Sequence, residues 1–76
     1  MNKARRKEID SVIATLEEAK ERLESIRDDE QEYYDTMPEN FQYGEKGEAA
    51  EEAVSNLDYA IDQIDEVIEN AASAKG

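Results

Sequence analysis

Apolar residues recur along this chain in two long helical stripes, separated by a polar gap that holds the only proline. With Ile9 as heptad position a, the first stripe places Ile9, Leu16, Leu23, Glu30 and Met37 at a, and Val12, Ala19, Ile26 and Tyr33 at d. Ile13 widens it at e. Apolar side chains three and four residues apart line one face of an α-helix. The spacing therefore predicts a first helix over about residues 3–34, with a and d as its seam and a decline where Glu30 falls on it. The second stripe has Ala50, Leu57, Ile64 and Ala71 at a, Ala53, Ala60, Val67 and Ala74 at d, and Val54, Ile61 and Ile68 at e. It predicts a second helix over about residues 45–73. Three apolar positions per heptad exceed what a two-stranded seam needs and suit a helix with more than one neighbour.

Residues 35–44 connect the two. Pro38 ends the first helix or follows its end, since the residue before proline resists the α region. Thr36-Met37-Pro38-Glu39 fits a capping box, with Thr36 as N-cap and Glu39 at N3 of a short turn over residues 38–42. Gly44 and Gly47 punctuate the chain, and Glu45, Glu48, Glu51 and Glu52 crowd the first turns of the second helix, as the helix dipole favours. The same dipole disfavours the basic start, Lys3, Arg5, Arg6 and Lys7, so fraying is expected there and in the alanine-rich tail over residues 71–76. Long helices joined by a short connection fold back on each other. The expected fold is all-α: one antiparallel two-helix hairpin over residues 1–76, dimerising into a four-helix bundle with two-fold symmetry.

Composition sharpens this picture. Seventy-six residues make a small domain that is marginal without help from disulfides, metal or association. There is no Cys and no His, so disulfides, thiolate sites and imidazole ligands are excluded, and association is the aid left. Asp28-Asp29-Glu30 lacks the glycine and spacing of a calcium loop, and a di-iron bundle would need His. No cofactor is implied. Paired carboxylates need a pocket that separates their pKa values, and a narrow bundle offers little room for one; a non-enzymatic role is expected. The basic start is followed by no apolar run of signal-peptide type, and no stretch is long enough to span a membrane. The expectation is a cytoplasmic protein.

Charge is the most informative feature. The net charge is −12. Residues 1–27 carry seven bases and six acids, whereas residues 28–69 carry fifteen acids and one base, Lys46. On the second helix Glu48, Glu51, Glu52, Asp58, Asp62, Asp65, Glu66 and Glu69 occupy b, c and f, opposite the apolar stripe. A row of like charges costs a helix stability, and a chain concerned only with solubility would interleave lysines. One reading is a surface that imitates the phosphates of nucleic acid and occupies a basic nucleic-acid-binding surface of a partner protein, with Tyr59, at c inside the row, as anchor. The plainer reading, and the more common one for such rows, is a solvated face on a structural or adaptor module. A third has the basic end, Lys3 to Lys7, bind nucleic acid, which a −12 chain disfavours. Of the other aromatics, Tyr33 at d is expected in the core with Tyr34 beside it. Phe41 and Tyr43 are expected to fold back and plug the open end of the bundle, the alternative being a recognition tip.

The middle of the chain resembles a group of small acidic proteins of phage and prophage genomes. The likeness rests on Glu30-Gln31-Glu32-Tyr33-Tyr34-Asp35, then Met37-Pro38-Glu39-Asn40, Glu45-Lys46-Gly47-Glu48 and Ala50-Glu51-Glu52-Ala53. The Met-Pro-Glu-Asn turn is its specific part, and the helices match by pattern only. Gly44 departs from it, since similar chains often carry Ser or another capping residue there. The resemblance implies a mobile-element origin. By analogy of class it implies an inhibitor of host nucleic-acid-binding systems. The charge itself points to a basic partner protein and to repulsion from nucleic acid and anionic membranes, so no direct contact with either is expected.

Overall fold

The computed structural model describes all of residues 1–76. It contains α1 (Lys3–Asp35), the single turn α2 (Glu39–Gln42) and α3 (Glu45–Ala74). The two long helices run antiparallel in a rod of 58 × 15 × 12 Å, and no helix is long and apolar enough to cross a membrane.

Both chain termini are better held than the sequence reading expects. The basic first turn is helical and capped: the Asn2 side chain accepts from the Arg5 backbone N–H at 2.8 Å. Asn is among the strongest N-caps and offsets the unfavourable charge. The tail is helical to Ala74, and Lys75 Nζ donates to Asp10 Oδ1 at 2.6 Å, tying it to α1.

The connection also differs in one respect. Thr36 does not open a capping box. It closes α1 as C-cap, its hydroxyl donating to the Glu32 carbonyl at 2.9 Å. Pro38 precedes α2 with no side-chain cap; its own carbonyl accepts from the Phe41 and Gln42 N–H groups at 2.8 and 3.1 Å. Gln42 Nε2 donates to the Tyr34 carbonyl at 2.9 Å, which pins α2 to the end of α1. Gly47 is no breaker but lies buried inside α3.

Which positions face inward is the main correction. In α1 the partly covered residues include Ile9, Leu16, Leu23 and Glu30 at a, and Ile13, Lys20, Arg27 and Tyr34 at e. In α3 the most covered are Ala50 at a and Gly47 and Ile61 at e. The hairpin therefore closes on a and e, whereas the expected seam of α1 was a and d. The d residues Val12, Ile26 and Tyr33 remain 55%, 54% and 51% exposed, so Tyr33 is not core. The cause is polar: at e, α1 carries Lys20, Arg27 and Tyr34, and turning that edge toward α3 brings them to its acids. Phe41 and Tyr43 do not plug the bundle end either, and Tyr43 is 78% exposed. Phe41 lies under the Lys46 ammonium, 5.9 Å from its ring centroid, on the same side as Tyr33 and Met37. Only three residues are buried, so the hairpin alone has almost no core.

Candidate protein-interaction surfaces

The closed hairpin has two broad faces and two outer edges, and the acids of α3 divide between them. The b row, Glu51, Asp58 and Asp65, lies on one broad face beside the e row of α1. Lys20 meets Asp65 at 2.7 Å, and Arg27 meets Asp58 at 2.8 Å. Tyr34 and Glu51 line one groove between the helices. These pairs step by seven residues on each helix, and in every one the two residue numbers sum to 85; Asp10–Lys75 has the same sum, with the roles of the helices exchanged. It is a ladder that fixes the antiparallel register. Such exposed pairs add little to stability, but a shift by one residue would break all of them together.

The ladder shows in the protonation equilibria. The hydrogen bond to Asp65 holds the Lys20 ammonium above its ordinary pKa of 10.5. Hydrogen bonds to Asp58 and then Asp28 raise Arg27. Tyr34 is raised above 10.0, first by its hydrogen bond to Glu51 and then by desolvation.

Of the nine residues singled out on the second helix, Glu51, Asp58 and Asp65 are thus occupied within the chain. The structure leaves Glu48, Glu52, Asp62, Glu66 and Glu69 on the outer edge at c and f, all exposed and none in an ion pair. Tyr59 stands among them, 66% exposed. Sequence reasoning treated these eight acids as one row because it could not see which of them face α1. The five edge carboxylates lie between residues 48 and 69, about 32 Å of helix. Their mean interval is about 8 Å, against one phosphate per about 1.7 Å of duplex.

The other broad face is the opposite in character. Here α3 presents Ala53, Ala60, Val67 and Ala74 at d, with Ala49, Asn56, Gln63 and Asn70 at g, and no charge after Lys46. α1 presents Val12, Ala19, Ile26 and Tyr33. Both d rows lie on this side, since Tyr33 of α1 and Lys46 of α3 line one groove with Phe41 and Pro38. Two further open grooves mark it. One is formed by Met1, Arg5, Glu8, Ile9, Val12 and Ala71, the other by Ala19, Arg22, Leu23 and Ile26.

No family model, characterised protein or solved structure matches this chain.

Proposed function

We propose that the protein is a non-enzymatic interaction protein, of the mobile-element type its Met-Pro-Glu-Asn turn suggests. It associates with itself through the face that carries both d rows into a four-helix bundle. It then lays the outer edge of α3 against a basic, nucleic-acid-binding surface of a host protein. The observation that carries this reading is the division of the acids. Each b carboxylate has a partner in its own chain, while the five edge carboxylates and Tyr59 have none. Charges left unpaired on a rigid edge, around one aromatic, suit a desolvating contact with a basic partner. The low linear charge density favours occlusion of a basic patch over a phosphate-for-phosphate copy of a duplex.

The test is capture from a bacterial lysate on immobilised protein, eluted with a salt gradient. The comparison is with E52Q/D62N/E66Q/E69Q, which alters the edge and leaves the ladder intact. Wild type should retain a nucleic-acid-binding protein that leaves at moderate salt, and the variant should not. An eluate unchanged by the substitutions, or empty in both cases, overturns the edge as a binding site. An empty eluate leaves the adaptor reading, which the exposed d rows favour, with the acids as solvation.

A further inference from the structure

A hairpin with three buried residues and a charge-free apolar face on α3 needs a cover for that face. Four observations select its occupant and its orientation.

The first is size. α3 is 30 residues long, and two helices about 10 Å wide over about 45 Å offer on the order of 800 Å² per chain, the standard for a stable interface. The second is charge. The basic residues Lys3, Arg5, Arg6 and Lys7 lie at the open end, and the acids from Asp28 to Glu48 gather at the loop end. A second copy with its loop at the same end would stack the two acidic clusters. One with its loop at the opposite end places each acidic loop near a basic start. The third is an unpaired couple beside the face. Arg22 and Asp29, both at g of α1, have no ion pair in their own chain and stand seven residues apart, too far to meet each other. The fourth is the match of large and small side chains under one two-fold axis.

We infer that the occupant is a second copy of this chain, packed face to face with loops at opposite ends about a two-fold axis level with Ile26 and Ala60. The ladder places Ile26 of α1 level with Tyr59 of α3, so one axis serves both helices. About it Arg22 meets Asp29 of the other copy, and Asn56 meets Gln63. Within a residue of register, Ala19 receives Tyr33 and Ala53 receives Val67. Ile26 and Ala60 meet their own counterparts. The loop, with Phe41 at its tip, falls over Val12 and Ile9, where the groove lined by Met1 and Ala71 is open. With the loops at the same end, α1 would lie on α3, and Ile26 would sit diagonally across the bundle from its counterpart.

This arrangement rests on the self-association proposed above, and the experiment separates the two. The chain has no cysteine, so Ile26→Cys and Ala60→Cys each introduce a single thiol near the axis, and Glu18→Cys, on the outer edge of α1, measures chance collision. Mass is determined by light scattering before oxidation. The expected result is twice the 8.6 kDa of the chain, with full conversion of the Ile26→Cys and Ala60→Cys proteins to covalent dimers and only background for Glu18→Cys. A mass of 8.6 kDa for the unsubstituted protein overturns self-association and this inference with it. A doubled mass with neither axial thiol linking above background keeps the dimer and overturns this arrangement.

Discussion

Two glycines three residues apart do opposite things. Gly47 is buried against the turn before it, and a Cβ placed there would lie 1.9 Å from the Gln42 carbonyl oxygen. That neighbour is backbone, fixed by the hydrogen bonds of α2, so it cannot yield cheaply. Gly44 has nothing nearer than the Phe41 carbonyl oxygen at 3.6 Å, and its extended backbone is that of an N-cap without a capping side chain. Gly47→Ala should therefore destabilise the protein by about 1–3 kcal/mol through overpacking, despite the better helix propensity of alanine. Gly44→Ser should stabilise it by a few tenths of a kcal/mol. Thermal unfolding followed by circular dichroism checks both. A Gly47→Ala protein as stable as wild type would mean that α2 moves freely off α3. The sequence marks both glycines as punctuation; only the packing of α2 on α3 tells them apart.

At the scale of the element, the helix-to-helix ladder sets the pH response, and its sign follows from the direction of the shifts. Lys20 and Tyr34 both titrate above their ordinary values of 10.5 and 10.0 in the folded chain. A group with a raised folded pKa contributes stability in full below its unfolded pKa and loses it as pH rises through the folded one. Their contribution is thus constant through neutral pH and disappears in the alkaline range above about 10. Unfolding midpoints at stepped pH should show that alkaline fall, and Tyr34→Phe should remove part of it; a Tyr34→Phe protein with an unchanged alkaline profile would remove Tyr34 from the ladder. The ladder also marks the limit of what periodicity conveys. The a, d and e stripe of each helix was legible, and with it the hairpin and the half-exposed second helix. Which two of the three positions close on the neighbour was not. That choice depends on the antiparallel register, and the register depends on the length of the connection and on pairs such as Arg27–Asp58, 31 residues apart. For the same reason the b acids could not be told from the edge acids, and the candidate site was legible only as to its helix. The Asn2 cap, by contrast, has a local signal, an Asn directly before the first helical residue.

For the whole molecule, charge and association act against each other. A dimer of this chain would carry twice the net charge of −12 on two rods lying side by side. The complementary contacts inferred between copies, Arg22 with Asp29 and the basic start with the acidic loop, involve few of those charges. The acids of both edges and both loop ends repel over distances comparable to the screening length. Raising ionic strength from about 0.01 to about 0.1 M shortens that length from about 30 to about 10 Å. It weakens the long-range repulsion more than the close pairs, so added salt should raise the unfolding midpoint. If the hairpin pairs as inferred, folding is linked to association and the midpoint should also rise with protein concentration. The two dependences have separate causes and are measured in one set of thermal scans at two salt and several protein concentrations. A midpoint that falls with salt would mean that the ion pairs outweigh the net repulsion. One that ignores concentration in the range where the dimer dissociates would mean that the hairpin folds alone and that the face with both d rows is covered by something other than itself.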